Sequence, residues 1–550
     1  MRKRPVIVVV LLVPVLLLII AYGILPRLAA GQICQLLVKL GYDDPVVERV
    51  SVGLHELQAG PISCREPEPL AVASVAATYD PVQLLTHHQL KRVRVAGARV
   101  SVPASGVHAR SVVGFDPEAL PFARLSFADS MLIFDRDVRV DVHRGEIMPH
   151  DGDVHLAASL SVIDGPAQVE GRYGADGQLG ASIEGREVGF LNALLETADR
   201  IYPRLHDMRV TRCGYYRLSW DGRGATGRLK AETRGTALSV SLGHHSKKAA
   251  VFEWEAMAID AACSIGAPPG VHGMLDVSNL VVDASSFSLG GMSGRVPIGV
   301  APEDRNTSVG ELRIDAIALG HLVMTGAVVR CGLGMDGTLH VSEVTAHCLG
   351  GVVRSLNLDI ALDAVALDIL VHMLDLELGE VLALVAPERM AGHGALSGHW
   401  NLRVQMKPEW RLRFGSGYLD SGDELGWFRV KGPVNLADVL GERAGASSSP
   451  GLHERIAAAI GNFRYRDLSV VMSEDSGGEL LARVHTSGRG PARDKAEPIT
   501  FGGLTFNLRG LDDLFRLVIA PRRDQRPADG GETAPHQEAG PVNRAIDQFF

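Results

Sequence analysis

Few residues in this 550-residue chain combine types and spacing that could do chemistry, and each combination fails on its context. Gly222, Gly224 and Gly227 spell GxGxxG within DGRGATG, a pattern that cradles a dinucleotide pyrophosphate only when it follows a strand and opens a helix. The next residues, Arg228 to Arg234, alternate like another strand, so a glycine-rich hairpin is expected. His87-His88 and His244-His245 are adjacent pairs that would point apart on a strand, and neither has a third ligand at metal spacing. Asp135, Asp137 and Asp141 lack the glycine and closing glutamate of a calcium loop and read as a charged outer face. No GxSxG, HExxH or Walker loop occurs. The cysteines (Cys34, Cys64, Cys213, Cys263, Cys331, Cys348) form no CxxC pair, although Cys331 and Cys348 flank a predicted hairpin and could pair in an oxidising compartment. No catalytic residue, cofactor or metal is expected, so any function must reside in a surface.

The elements that would build such a surface start with an anchor. Arg2, Lys3 and Arg4 precede an uncharged run from Val6 to Leu25, about the twenty residues a helix needs to cross a bilayer. The positive-inside rule leaves the amino terminus in the cytoplasm and exports the rest. A cleaved signal peptide is the competing reading, because Leu28-Ala29-Ala30-Gly31 faintly resembles a cleavage site. Ile33, Leu36, Leu37 and Leu40 then recur at helical spacing and predict an amphipathic helix over 27–45 that caps the next domain. The net charge of −9 and the scattered basic residues leave no footprint for nucleic acid.

From about Val93 onward the chain alternates with period two, as in Val138, Val140, Val142; Val154, Leu156, Ala158, Leu160; Leu356, Leu358, Ile360, Leu362; and Leu402, Val404, Met406. Turn signals separate the runs, among them Asp164-Gly165-Pro166, Ala175-Asp176-Gly177 and Met335-Asp336-Gly337. The expectation is a mostly β, antiparallel meander with one wet face. Helical spacing interrupts it at Val188 to Ala198, Ile369 to Val385 and Leu452 to Ile460. A sheet with one apolar face must cover that face, and it can do so as a sandwich, as a barrel, or as an open trough filled by a ligand such as an acyl chain. Periodicity does not separate the three.

Toward the carboxyl end, GHGALSGHWNLRV (392–404), GSGYLDSGDELGWFRVKGP (415–433), NFRYRDLSV (462–470) and GGELLARVHTSGRGPARDKAEPITFGGLTFNLRGLDDLFRL (477–517) succeed one another in an order that resembles the YdbH family of AsmA-like proteins, most clearly over 390–517. Where that family's GRNP run carries asparagine, this sequence has Gly490. The resemblance implies a bridge-like lipid transporter of the inner membrane, with an elongated, taco-like β-groove crossing the periplasm and few short helices. It also implies a small YnbE-like outer-membrane lipoprotein at the carboxyl-terminal strand edge. On that reading residues 1–26 are a cytoplasmic stub and transmembrane anchor, 27–45 the amphipathic helix, 46–390 the groove, 391–520 the YdbH-like β-region and 521–550 a disordered tail. At ~25 to 35 strands and about 4.8 Å per strand, the groove would be on the order of 120 to 170 Å long.

The expected function is therefore passive conduction of phospholipid, with candidate lining residues Val138, Val140, Val142, Leu156, Leu160, Leu358, Ile360, Leu402, Val404, Phe428, Val430, Val470 and Met472. The alternative is an assembly factor that offers a β-edge to outer-membrane or secreted proteins, as the related TamB branch suggests.

Overall fold

In a computed structural model the chain is described over residues 25–39, 42, 44–65, 69–87, 89–102, 122–134, 138–150, 152–162, 165–174, 176–199, 208–223, 226–241, 249–264, 270–284, 287–301, 304, 308–361, 366–385, 390–405, 411–423, 425–430, 458–474, 480–491 and 498–508. These residues carry 29 strands and four helices of seven residues or more, in two compact units: Met1–Leu238 with Ala258–Val271, and Ser239–Met257 with His272–Phe550.

The first unit opens with helix α1 (Leu25–Lys39), which packs on β1 (Val46–Val47) and β2 (Val50–Val52). Next along the chain come β3 (Glu56–Ala59), β4 (Ile62–Cys64), β5 (Leu70–Thr78), α2 (Pro81–His87), β6 (Arg92–Val102), β7 (Leu125–Phe134), β8 (Val138–His150), β9 (Asp153–Val162), β10 (Gly165–Gly174), β11 (Gln178–Gly185), α3 (Val188–Asp199), β12 (Met208–Arg212), β13 (Tyr215–Arg223) and β14 (Thr226–Ser241). Hairpin pairing dominates, and the predicted turn at Asp176-Gly177 forms, with Gly177 at φ +82° donating to the Gly174 carbonyl at 2.9 Å. The GxGxxG run is the end of the β13–β14 hairpin, where Gly222 pairs with Gly227. Two expectations need correcting. His87 closes a helix and is not on a strand. The meander is also not wholly antiparallel: β6 and β7 run parallel, because the chain returns to the start of β6 before β7 begins.

The second unit continues from β15 (Ala249–Ser264) and β16 (Gly270–Ala284), which straddle the two, through β17 (Phe287–Val300), β18 (Gly310–Leu319), β19 (Leu322–Gly334), β20 (Thr338–Cys348), β21 (Gly351–Ala361), β22 (Ala366–Glu377), α4 (Leu378–Val385), β23 (Met390–His393), β24 (Ala395–Gln405), β25 (Arg411–Asp420), β26 (Gly426–Val430), β27 (Asn462–Glu474), β28 (Leu480–Gly490) and β29 (Ile499–Leu508). The stretch from Ile369 to Val385, predicted helical, is half strand. Leu367, Ile369 and Val371 pair in register with Val404, Leu402 and Trp400 on β24, and the helix begins only at Leu378. Cross-strand pairing overrides a local helical spacing here.

Mid-strand left-handed residues recur in both units. Gly97 and Asp129 in the first, and Asn279, Gly291, Gly326, Asn357 and Asp375 in the second, all sit at φ between +48° and +67°. Gly, Asn and Asp are the residues that reach this region at least cost. A serine on the next strand satisfies the freed amide at three of these sites: Ser130 accepts from Ala98, Ser293 from Asn279 and Ser397 from Asp375, at 3.3, 2.8 and 2.9 Å. Bulges bend the strand that bears them, so bulges on neighbouring strands crease a sheet. The left-handed residue at Asn357 also re-phases β21. Leu356, predicted to share a face with Leu358 and Ile360, instead lies opposite Glu343 and is 40% exposed.

Cys331 and Cys348 are free thiols, each buried and pushed up to about 11 by that burial. Cys348 faces Met324 while Cys331 faces Val341, so they stand seven positions apart along β19, roughly 20 Å and far beyond disulfide reach. Mass analysis after alkylation of the unfolded, unreduced protein should find both thiols blocked; a mass lower by two hydrogens with Cys331 and Cys348 unblocked would contradict this register.

The apolar run Val6 to Leu25 falls almost wholly outside the described residues, as do His88, His244-His245, the turn at Asp164 and the tail 521–550. Among the described residues no helix is long and apolar enough to cross a membrane.

Candidate functional site

Register converts the period-two pattern into rows that cross the sheet. In the first unit one row runs Leu57, Ala77, Val93, Leu125, Ile147, Leu156, Gly171, Ala181, Trp220, Leu229 over ten strands, each residue opposite the next. None carries a polar group apart from the Trp220 indole. The row two residues away, from Ala59 through Val75, Val95, Phe127, Gly145, Ala158, Val169, Ile183 and Leu218 to Ala231, is apolar throughout. The row between them belongs to the opposite face and reads Gln58, Ala76, Arg94, Ser126, Glu146, Ala157, Glu170, Ser182, Ser219, Lys230. Ten strands with nine spacings of about 4.8 Å make the apolar row about 43 Å long.

The apolar face has two margins of different character. Along one, α3 lies over the sheet: Phe190 stacks on Tyr216 at 5.3 Å, and Leu191 packs with Val210, Cys213 and Tyr216. Val140, Val142, Leu160 and Ala167 are buried beside it, with Phe190 packed against them. Tyr216 is fully buried, and desolvation pushes its hydroxyl up to about 12. Along the other margin no helix lies over the sheet among the described residues. Val93, Leu125, Ile147, Leu156, Trp220 and Leu229 remain half-buried although each has a neighbouring strand on both sides or ends a continuous row. We call this the open lane.

The second unit repeats the arrangement. Helix α4 comes directly after β22 and packs on β22 and β23, and behind it Met373, Leu376, Leu396, Trp400, Leu419, Phe463 and Leu468 form the largest buried cluster. Phe463 touches Phe428 and Phe501 at ring separations of 5.3 and 5.7 Å. Tyr465 is buried in a slot left by two glycines, since a Cβ at Gly394 or Gly426 would overlap its ring or hydroxyl. Gly490 has a similar cause, because a Cβ there would overlap the Ala459 backbone; a larger side chain does not fit this position. Toward the other strand ends Leu339 faces Ile360, Leu367 faces Val404, and Ile369 faces Leu402, all half-buried on the apolar face.

The candidate residues therefore divide. Leu156 and Val404 are half-buried on the apolar faces of their units, Leu358 and Ile360 are half-buried and packed against the buried cluster of Val296, Cys331 and Val341, and Leu402 is half-buried and packed against the larger cluster of the second unit. Val140, Val142 and Leu160 lie under α3, while Met472 belongs to the buried cluster of the second unit and Phe428 and Val470 are half-buried and packed against it. Val430 is half-buried opposite Met390 at the end of β26, and the Val138 backbone pairs with Phe134. The helices that create this division had a signal in sequence, the 3.6-residue spacing after Val188, but which part of the face they cover is set by tertiary packing.

The opposite face is kept wet by cross-strand ion pairs. Arg403 grips Asp368 with two hydrogen bonds of 2.6 and 2.9 Å, Arg330 and Arg354 both reach Glu343 at 2.8 Å, and Arg124 pairs with Glu146. The guanidiniums hold the carboxyls of Asp368 and Glu146 below their usual range. Exposed pairs of this kind contribute little stability, so their consequence is polarity. Among the described residues no group of three or more His, Cys, Asp or Glu could hold a metal ion.

Residues 269–502 match a family model described as YdbH-like, "Intermembrane phospholipid transport protein YdbH". The resemblance read over 390–517 is thus borne out, and it extends amino-terminally to β16. Comparisons with curated proteins and with solved structures give no match.

Proposed function

We propose, from the YdbH-like character of residues 269–502, that this chain conducts phospholipid between two membranes, anchored in the inner membrane by Val6 to Leu25 with its bulk in the periplasm. The observation that carries the proposal is the open lane: an apolar row unbroken over ten strands whose side chains keep part of their surface accessible. Hydrocarbon left in water is unfavourable by about 25 cal/mol per Å², and acyl tails would remove that penalty without needing any fixed register. Head groups would stay in solvent beyond the rim. Leu156 is the candidate that lines this lane in the first unit, Leu358, Ile360, Leu402 and Val404 are candidates on the apolar face of the second, and a carboxyl-terminal strand edge is where an outer-membrane lipoprotein would add.

The test is site-specific photocrosslinking in the full chain in cells. A photoreactive residue at Leu156 should capture phospholipid, whereas one at Ala157, its neighbour on the polar face, should not. Equal lipid capture at both, or capture of polypeptide at Leu156, would overturn lipid conduction and favour the assembly role.

A further inference from the structure

We infer that Cys34 and Cys64 close a disulfide that pins α1 to the sheet once the chain has been exported. This rests on the export half of the reading above and is independent of what the apolar face carries.

Three local features bring the two thiols together. Helix α1 turns Ala30, Ile33, Cys34 and Leu37 inward, half-buried at positions three and four apart, while Gly31, Gln32, Gln35 and Val38 are exposed; it packs on β1 and β2. The Tyr42 amide then donates to the Leu37 carbonyl at 3.0 Å, and Asp44, at φ +48°, turns the chain into β1. Because of that turn the Cys34 thiol donates to the Pro45 carbonyl at 3.4 Å. Val46 faces Ser63 and Val47 faces Ile62, so one further step of the same register sets Pro45 opposite Cys64. Residues opposite each other on antiparallel strands stand about 4.5–5.5 Å apart at Cα. The helix therefore rests its one cysteine on the neighbour of the other.

Cys64 is buried and Cys34 half-buried. Burial pushes the Cys64 thiol up, and the nearby Cys34 sulfur raises it further; burial and then Cys64 do the same to the Tyr42 hydroxyl. Cys331 and Cys348 respond to burial alone. Cys34, the more accessible thiol, meets the oxidant first, which is the disulfide of a thiol–disulfide exchange partner in an oxidising compartment. The Cys34 thiolate attacks that disulfide and releases one partner thiolate; the Cys64 thiolate then attacks the Cys34 sulfur of the mixed disulfide and releases the second. Two electrons and two protons pass to the partner, which leaves as a dithiol. The bond encloses β1 to β3 and withdraws freedom from the unfolded amino-terminal segment. It also links the helix that follows the Val6 to Leu25 run directly to β4.

The test uses the full chain. Folded in detergent and exposed to oxidised glutathione, it should lose two hydrogens and yield a linked Cys34–Cys64 peptide on digestion, with Cys331 and Cys348 still open to alkylation after unfolding. Cells treated with N-ethylmaleimide before lysis should give the same linked peptide, and Cys34→Ala should abolish it with circular dichroism unchanged. Amides of α1 should exchange about ten-fold faster or more in the reduced chain than in the oxidised one. Glutathione adducts on Cys34 with no link to Cys64 would overturn the pairing. Leu54, 83% exposed, reports on export: Leu54→Cys, with Cys34→Ala and Cys64→Ala beside it, should react with a membrane-impermeant maleimide in cells whose outer membrane has been permeabilised. Labelling there while Cys34 and Cys64 stay free in the wild-type chain sinks the disulfide alone. Absence of labelling sinks the export reading, and oxidation of the purified chain then decides the pairing by itself, a linked peptide upholding it and unlinked thiols ending it.

Discussion

Ile147→Glu combined with Leu156→Glu is expected to lower phospholipid transfer by at least about ten-fold while leaving the chain folded, because two adjacent charges facing an acyl path raise a barrier of order 1–3 kcal/mol. The two residues are cross-strand partners on β8 and β9 in the middle of the open lane, so every tail passing along the row meets both. Each already keeps part of its surface accessible, so a carboxylate there can remain hydrated. A sealed interior would respond differently. Burying two like charges without partners costs several kcal/mol each and would unfold the sheet. Ser219→Glu is the matched control: it adds a charge on the polar face opposite Lys230, where neither transfer nor stability should change. Transfer between donor and acceptor vesicles, measured with thermal unfolding on the same samples, decides the matter. Unfolding of the double variant, or undiminished transfer by a folded one, would refute an open lipid path.

Much of this arrangement is legible in the sequence because period two is a geometric property of a strand. The alternation at Val154 to Leu160 needs no tertiary information to put four apolar side chains on one face, and the structure does so. Hairpins carry their own signals in Asp-Gly pairs, and those at Asp176-Gly177 and Asp336-Gly337 form. The fate of the apolar face was not legible in the same way. Val142 and Leu156 belong to equally regular alternations, yet one is buried under α3 and the other sits in the open lane. That difference depends on where a helix folds back, a contact between residues far apart in the chain. Local bulges hid the rest. A single left-handed residue at Asn357 moves Leu356 to the polar face, and nothing in a window of alternating apolar residues announces that slip beyond the asparagine itself. The parallel β6–β7 pairing had no signal either, since it joins residues as far apart in the chain as Val93 and Leu125.

The covered margin and the open lane should also differ in the cost of losing hydrocarbon. Phe463→Ala removes a ring with no accessible surface, packed between Phe428 and Phe501, and leaves a cavity its neighbours fill only in part, so a loss of about 3–5 kcal/mol is expected. Leu156→Ala removes atoms that already face an uncovered surface and leaves no closed cavity, so about 1 kcal/mol or less is expected. Because the two substitutions fall in different compact units, a single unfolding midpoint would blend them, and hydrogen exchange read strand by strand is the better measurement. Amides of β27 should exchange roughly 100-fold faster or more in Phe463→Ala, while those of β9 in Leu156→Ala should change less than about ten-fold. Similar costs at the two positions would mean that Leu156 sits in a closed core, and the path would be lost with it. Unequal costs are what conduction requires: a face that holds transient hydrocarbon must owe little of its stability to that face being filled, and the firmness has to come from the margin that α3 and α4 keep shut.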